Sequence, residues 1–249
     1  MLGILDWGIG GLDFYSQFKR ERPDAGVVYL SDAGCTPYGK LPRKALLSRV
    51  TLAVEFLMDN GATHVVVACN AASTVLPSIS PSINENVLGI IDSGVETVKR
   101  TGVRNVGIVG GERTIRSGQY QRNLAAAGVL ARGRIAQPLS GMIERGEHRS
   151  EKFRQEVDRI VRPLKGSEAL LLACTHYPAA LEAFQQILPG TAILDPTDHL
   201  LQHILLSANL TISEQVDRIL TTGNPTDMVK GAGAAFGLQL SHVSRVRLG

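Results

Sequence analysis

Short apolar runs alternate with amphipathic stretches along most of the chain. The runs are rich in β-branched residues and apolar throughout, as strands covered on both faces by helices should be. Seven are evident: Leu2–Leu5, Val27–Leu30, His64–Cys69, Val87–Ile91, Asn105–Val109, Ala169–Cys174 and Ala192–Leu194. Two later runs, Arg218–Thr221 and Val243–Arg247, are also predicted to be short strands. Alternation of strands and helices predicts βαβ units, an α/β fold and mostly parallel sheets.

Two of the predicted helices are well defined by their pattern. Pro42–Asn60 carries an apolar face at helical spacing, and its proline suits a first helical turn. Gly61 follows at the position that a helix C-cap glycine takes. Ser150–Leu164 repeats the same amphipathic pattern. Helices of this length are suited to cross over between parallel strands.

An internal similarity predicts two related halves. Val65–Asn70 and Leu170–Thr175 each form a buried strand that ends in Ala-Cys and a small polar residue. We expect two similar α/β domains with mostly parallel central sheets, one made of residues 1–93 plus 211–249 and the other of residues 94–210. Ligands bind at the carboxyl edge of such sheets, so a cleft with one cysteine on each wall is expected.

Composition narrows the class of protein. The 249 residues are 44% hydrophobic and 20% charged, which is typical of a folded globular chain and excludes a disordered one. A net charge of +3 without basic runs argues against a nucleic-acid partner. Three cysteines disfavour a disulfide scaffold and favour a reducing, cytoplasmic setting. No signal peptide or membrane span is expected.

The cysteine pair is the strongest chemical signal. Cys69 and Cys174 could each be small buried core residues, which free cysteines often are. Their equivalent positions favour function instead, because a thiol facing the positive end of the next helix has a lowered pKa. A pKa near physiological pH suits a base that transfers protons. Cys35 is interpreted as structural.

Two further residues could support the thiols. Asp6 precedes a glycine-rich turn whose spacing does not match a dinucleotide site, so it is either a cap or a carboxylate beside Cys69, provided that the first and third strands are neighbours. His176 could be structural, or it could help to deprotonate Cys174. No metal site is expected, because no other ligands lie at suitable spacing.

Three small polar residues follow strands at the expected cleft. Asn70 and Thr175 come directly after the two cysteines, and Thr114 follows the fifth strand. All three could cap the helices that follow. They could equally present side-chain and backbone donors to a carboxylate of a ligand.

Six segments, in order along the chain, match motifs of one family. They are Asp6–Gly11 (DWGIGG against DSGxGG), Asp32–Gly39 (DAGCTPYG against DTxxxPYG), Ala68–Ser73 (ACNAAS against ACNTAS), Gly110–Ile115 (GGERTI against GTxxTI), Pro138-Leu139 with Glu144 and Gly146 (PL…ExG), and Ala173–Pro178 (ACTHYP against GCTHYP). On these residues the chain resembles the aspartate/glutamate racemase superfamily, most closely its glutamate racemases.

The resemblance implies a racemase that needs no cofactor and no metal and that uses two bases. Cys69 and Cys174 would exchange the α-proton of an amino acid on opposite faces of one carbon, with sulfurs about 7–9 Å apart. Asp6 would assist Cys69, and His176 with Glu144 would assist Cys174. The implied reaction interconverts L- and D-glutamate for peptidoglycan synthesis. The implied partner is a small-molecule amino-acid substrate, with neither nucleic acid nor membrane, and the chain could form a homodimer.

The resemblance also implies a set of substrate contacts. Asn70, Thr114 and Thr175 would hold the α-carboxylate and the amino group. The backbone of Pro37, Tyr38 and Gly39 would contact the side-chain carboxylate.

The chain departs from the family where hydroxyl residues are expected, at Trp7, Ala33, Ala71 and Gly111. Trp7 and Ala71 fall at positions that the family uses to touch substrate. Three interpretations follow: a glutamate racemase with compensating contacts, a racemase for a smaller or less polar amino acid, or a small-molecule-binding relative with little activity. We expect Trp7 to enter the cleft with its indole N–H on a carboxylate, either that of the substrate or a neighbour such as Asp32. The alternative is that Trp7 packs outward, under the helix that starts near Gly11.

Overall fold

The structure is a computed structural model that describes residues 1–207 and 216–249. The strands are β1 (Leu2–Asp6), β2 (Val27–Ser31), β3 (His64–Val67), β4 (Val87–Gly89), β5 (Asn105–Gly110), β6 (Leu130–Ile135), β7 (Ala169–Ala173), β8 (Ala192–Leu194), β9 (Arg218–Thr221) and β10 (Ser244–Arg245). The helices are α1 (Leu12–Glu21), α2 (Arg43–Asp59), α3 (Asn70–Ser73), α4 (Pro81–Asn84), α5 (Ile90–Thr101), α6 (Glu112–Ser117), α7 (Gln119–Ala126), α8 (Gln137–Glu144), α9 (Glu151–Val161), α10 (Leu181–Ile187), α11 (Thr197–Ser207) and α12 (Pro225–Phe236).

The strands form two separate sheets with the same internal order. The first sheet runs β10-β9-β2-β1-β3-β4 and the second runs β6-β5-β7-β8. All of the strand pairs in both sheets are parallel. The order β2-β1-β3-β4 is therefore repeated as β6-β5-β7-β8, with β9 and β10 added at the β2 edge. The predicted α/β fold with two similar parallel halves is confirmed.

The chain passes from one sheet to the other and back. β1 to β4 precede the second sheet, and β9 and β10 return to the first. Residue 93 lies inside α5 rather than at its end, and residues 210 and 211 lie outside the described residues. The division into residues 1–93 plus 211–249 and residues 94–210 stays a prediction.

Several strand bounds differ from the sequence prediction, and β3 stops at Val67, two residues before the predicted end at Cys69. β4 stops at Gly89, because Ile90 and Ile91 begin α5 and pack as its buried face. The run Val243–Arg247 contributes only two residues to β10. β6 was not predicted, since it is a partly exposed edge strand whose Arg132 and Arg134 break the apolar pattern.

Helices cover both faces of the central strands, which is why these strands are almost entirely apolar. In the first sheet Leu5 and Leu30 pack in one core with α2, and Leu2 and Ile4 pack in a second core on the opposite face. Gly61 follows α2 with a φ of +92°, which confirms the predicted glycine at the helix end. Among the described residues, none of the helices is both long and apolar enough to cross a bilayer.

Candidate active site

A cavity of about 910 Å³ lies between the carboxyl ends of the two sheets. The predicted site residues that line it are Asp6, Trp7, Pro37, Tyr38, Gly39, Cys69, Asn70, Ala71, Thr114, Cys174, Thr175 and His176. Glu144 stands behind this lining and reaches the site through His176. The fold thus brings together residues that are more than 160 positions apart in the sequence.

Strand pairing explains why the two cysteines are placed alike. β1 lies beside β3, with Leu5 opposite Val67, so Asp6 and Cys69 emerge from neighbouring strands as expected. β5 lies beside β7 with Gly110 opposite Ala173, so Cys174 emerges beside Gly111. In each sheet the thiol stands where the strand order reverses, which is where open α/β sheets bind ligands.

The surroundings of Cys69 raise its pKa. Burial is the largest cause, and the Asp6 carboxylate and the Cys174 thiolate add to it; the backbone N–H groups of Ala72 and Ala71 act in the opposite direction but do not prevail. The expected lowering of this pKa is therefore wrong. α3 has only four residues, too short for a strong helix dipole to offset burial. Cys69 is accordingly held as a thiol.

Asp6 is buried and shared between the two halves. Its Oδ2 accepts the backbone N–H of Gly11 at 2.9 Å, and the Thr175 hydroxyl donates to it across the cleft at 3.3 Å. Burial raises its pKa, and the Glu144 charge raises it further, against the effect of His176 and the Gly11 bond. Asp6 thus both caps the turn before α1 and stands beside Cys69 as a carboxyl with raised proton affinity.

Cys174 has a cationic partner instead. His176 Nδ1 lies 3.8 Å from Cys174 Sγ, and its Nε2 lies 2.6 Å from Glu144 Oε1. Burial alone would lower the pKa of His176, but the contacts to Cys174 and Glu144 raise it well above its ordinary value. The pKa of Glu144 is lowered: burial opposes this, whereas His176 and the Ile9 N–H bring it about. An ion pair therefore stands beside Cys174.

The glycine-rich turn after β1 serves close packing between the halves. A Cβ at Gly8 would overlap Glu144 Oε1. A Cβ at Gly10 would overlap Thr175 Oγ1 and lie 2.8 Å from His176 Nδ1. These glycines let the residues that support Cys69 and those that support Cys174 approach each other closely at the contact between the two halves.

The three small polar residues differ in their contacts. Asn70 is buried with Oδ1 accepting from the Tyr120 hydroxyl at 2.7 Å, and its Nδ2 has no partner among the described residues. Thr175 donates to Asp6 rather than capping a helix. Thr114 is buried in α6, where it lines the cavity. The unpartnered amide of Asn70 is therefore a donor available to a ligand.

The Asp32–Gly39 loop is fixed by a buried carboxylate. Asp32 accepts two bonds of 2.7 Å from the Arg49 guanidinium, and one each of 2.7 Å from the hydroxyls of Tyr38 and Thr222. Burial opposes ionisation of Asp32, but these bonds leave its pKa lowered. The network ties the loop to α2 and to the return segment after β9. Sequence reasoning missed Arg49 and Thr222, because nothing in their local pattern marks them.

Trp7 lines the cavity while its indole is anchored away from any carboxylate. Nε1 donates to the backbone carbonyl of Cys35 at 3.1 Å, so the expected bond to Asp32 is wrong. Asp32 is already saturated by Arg49 and hydroxyl donors. Burial and the Asp32 charge raise the pKa of Cys35 to about 12, which agrees with a structural role for that thiol.

Gln137, at the start of α8, also lines the cavity and was missed from the sequence. Its Oε1 accepts from the Glu112 backbone N–H at 3.1 Å. Within residues 1–207 and 216–249, no three His, Cys, Asp or Glu side chains converge in a way that could hold a metal ion.

Comparison with known proteins identifies the family. The family model described as Asp/Glu/Hydantoin racemase matches residues 13–204. The chain belongs to this family. It is an amino-acid racemase by that membership, with two thiols, one following a strand of each sheet, that line its cavity.

Individual relatives agree with this assignment. The glutamate racemase of Aquifex aeolicus is 31% identical over 197 residues, which are 78% of this chain and 78% of that relative. The glutamate racemase of Thermus thermophilus, solved in complex with β-chloro-D-alanine, has a TM-score of 0.87 at 28% identity, covering 99% of this chain and 96% of that one. That of Francisella tularensis, solved in complex with D-glutamate, has a TM-score of 0.90 at 24% identity, covering 99% and 97%.

Proposed function

We propose that this racemase interconverts L- and D-glutamate by a two-base mechanism that needs no cofactor. The observation that carries the proposal is the pair of strand-end thiols in one cavity, each with its own ionisable support. Inversion at a carbon needs a base on one face and an acid on the other, which two opposed walls provide. The expected sulfur separation of about 7–9 Å stays a prediction.

In one direction Cys174 acts as the base. The His176 imidazolium, held by Glu144, stabilises the Cys174 thiolate, which removes the α-proton. Negative charge then develops on the substrate's α-carboxylate, where the free Asn70 amide and the Thr114 and Thr175 positions supply donors.

Cys69 delivers a proton to the opposite face of the same carbon. It can do so because its raised pKa keeps it protonated. In the reverse direction Cys69 must act as a thiolate. Asp6, whose pKa is raised, accepts the thiol proton and returns it later. The roles of the two cysteines thus exchange with the direction of the reaction.

A racemase for a smaller or less polar amino acid is the second candidate. Trp7 occupies the cavity wall, and Ala71 and Gly111 offer no hydroxyl there. Each missing donor to a charged group of the ligand would weaken binding by about 1.5–3 kcal/mol unless another donor replaces it.

The two candidates are separated by α-proton exchange. The protein is incubated in D₂O with both enantiomers of glutamate, aspartate and alanine, and exchange is followed by NMR together with optical rotation. We expect glutamate to exchange and invert fastest. Faster inversion of alanine or aspartate would reassign the substrate, and binding of glutamate with neither exchange nor inversion would make the protein a binding relative.

Glutamate racemisation places the protein in a defined cellular context. D-Glutamate is a building block of peptidoglycan, so we propose a cytoplasmic enzyme that supplies cell-wall synthesis. A homodimer stays part of the proposal, and sedimentation equilibrium of the purified chain tests it. A monomeric mass at all concentrations would remove the dimer from the proposal.

A further inference from the structure

The orientation of the Gln137 side-chain amide is fixed by the hydrogen bond that its oxygen accepts. The Oε1 atom accepts from the backbone N–H of Glu112 at 3.1 Å. A backbone N–H can only donate, so the end that faces it must be oxygen, and the opposite end is the NH₂ group. That NH₂ makes no hydrogen bond with the described residues, while the side chain lines the cavity. Two donors are therefore available in the cavity.

Two glycines, one from each half, make room for this side chain. A Cβ at Gly39 would lie 2.5 Å from Gln137 Oε1, and a Cβ at Gly111 would lie 3.0 Å from the same atom. Gly111 is also a position at which a hydroxyl residue was expected. Gln137 thus occupies space that side chains at either position would take, and it spans the seam between the Pro37–Gly39 backbone and the start of α6.

We propose that the Gln137 amide binds the side-chain carboxylate of the substrate and selects for an acidic amino acid, an inference that rests on the proposed glutamate racemisation. Gln137 replaces donors that Ala71 and Gly111 lack. Lys40 lines the same cavity next to Gly39 and adds a positive charge there. Neutral donors and a nearby cation form an environment that favours a carboxylate over an alkyl group.

The specificity of this contact gives it a distinct kinetic signature. Loss of a hydrogen bond to a charged ligand group corresponds to a loss of roughly 10- to 100-fold in affinity. Only a substrate with a side-chain carboxylate makes the contact. Gln137 should therefore affect glutamate strongly and 2-aminobutyrate, which lacks that carboxylate, very little.

The test compares two substitutions with one control. Gln137→Glu keeps an oxygen that accepts from the Glu112 N–H but places an anion where the NH₂ was. Gln137→Leu removes the donors without adding charge. Gln17→Leu changes a half-buried glutamine of α1 that lies outside the cavity and whose amide donates to Asp13 within the same helix, and it serves as the matched control. For each variant, α-proton exchange in D₂O and calorimetric binding are measured with glutamate and 2-aminobutyrate.

We expect glutamate kcat/KM and affinity to fall roughly 10- to 100-fold in Gln137→Leu and further in Gln137→Glu. Exchange of 2-aminobutyrate should stay within about twofold of the wild type, and Gln17→Leu should be unchanged for both substrates. Equal losses for both substrates, or glutamate constants within twofold of the wild type, would overturn the assignment of Gln137 and leave the proposed function standing.

Failure of the proposed glutamate racemisation would give a different experimental result. If the wild-type protein binds glutamate but does not exchange its α-proton, racemisation of glutamate is rejected and the binding arm alone decides on Gln137. If the wild-type protein neither binds nor exchanges glutamate, both proposals are overturned.

Discussion

The two halves place a cysteine at the same point of the same strand order and then surround it differently. Cys69 is buried beside Asp6, a carboxyl whose pKa is raised by burial, and it has no cation among its hydrogen-bond partners in the described chain. Cys174 is partly exposed and lies 3.8 Å from an imidazole that Glu144 keeps protonated. One wall therefore holds a proton on sulfur, and the other places an imidazolium beside its cysteine.

This difference teaches that the repeated fold supplies symmetry of position, and in the proposed mechanism the charges around each thiol decide which starts as acid and which as base. In water the two enantiomers of an amino acid have equal free energy. The equilibrium constant is therefore one, and kcat/KM must be the same in both directions for any variant. Asymmetry between the walls can appear only in kcat and KM taken separately, or in exchange without inversion.

Replacement of either sulfur should have the largest effect. Cys69→Ser and Cys174→Ser should each lower the racemisation rate by roughly 10²–10⁴-fold, because a serine hydroxyl is a far weaker acid and base at this position. Optical rotation with glutamate measures the loss. Each variant should still exchange the α-proton of one enantiomer into D₂O, and the two variants should favour opposite enantiomers.

A matched serine substitution of the third cysteine controls for general damage. Cys35→Ser changes a thiol that hydrogen-bonds within its own loop and lies outside the proton-transfer pair. If Cys69→Ser or Cys174→Ser racemised glutamate at the wild-type rate, the two-base assignment of that residue would be withdrawn.

The next largest effect on stability and activity is expected at Gly10, where the residues that support Cys69 and Cys174 meet. Gly10→Ala places a methyl group against Thr175 and His176, so both the Asp6 bond and the position of the imidazole must shift. We expect a loss of about 1–3 kcal/mol of stability by urea unfolding, as for overpacked sites, and a fall in kcat/KM of at least tenfold.

Gly233→Ala is the control for a glycine without such a neighbour. Gly233 lies within α12, where the nearest atom to an added Cβ is the Leu238 carbonyl oxygen at 3.8 Å. Alanine there should be neutral or stabilise by about 0.5–1 kcal/mol. Equal stability and activity for the two alanine variants would mean that Gly10 can move away from Thr175 and His176 without loss.

Loss of the Glu144 charge should produce a smaller effect, visible in the pH profile. Glu144 helps to raise the pKa of His176, so Glu144→Gln lowers that pKa while its amide oxygen can still accept the Nε2 proton. The imidazolium is then lost at a lower pH. The alkaline limb of the kcat/KM profile should move to lower pH by about one unit. At pH values above the shifted limb, kcat/KM should be about tenfold lower than in the wild type.

Glu151→Gln provides the control, because Glu151 is an exposed carboxylate paired with Arg154 on α9. Its profile should superimpose on that of the wild type. An alkaline limb that stays in place in Glu144→Gln would show that the charge of His176 does not set the activity of the Cys174 wall.

The pattern of apolar runs predicted most of the parallel strands, because strands buried on both faces leave a clear signature. The division into two halves came from the internal similarity of the two strands that end in Ala-Cys and from the family resemblance. The cysteines, Asp6 and His176 could also be found, since each follows such a strand within a recognisable motif. β6 could not, because an exposed edge strand with Arg132 and Arg134 needs no apolar alternation. Its place in the sheet follows from pairing with β5 alone.

Residues whose role depends on contacts with distant parts of the chain could not be identified from the sequence. Arg49 reaches Asp32 from the middle of α2, and Gln137 meets Glu112 from 25 positions away. The pKa of Cys69 was predicted in the wrong direction for the same reason. A helix N-terminus is local and visible in the sequence, whereas complete burial depends on the packing of both halves.

The smallest expected effect concerns the wall beside Cys69, where Trp7 and Ala71 stand at positions that the family occupies with hydroxyl residues. Trp7 fills part of the cavity and is anchored to the Cys35 carbonyl, so it changes both the shape and the polarity of that wall. Trp7→Ser combined with Ala71→Thr should raise kcat/KM for glutamate a few-fold, since each new hydroxyl can donate to a carboxylate but the Gln137 amide already supplies donors. Trp7→Phe separates the two effects, because it keeps the bulk of the ring and loses only the indole N–H. Kinetic constants for both glutamate enantiomers decide the matter: no gain in the double variant, or a gain equal to that of Trp7→Phe, would show that hydroxyls on the Cys69 wall are not what limits glutamate turnover.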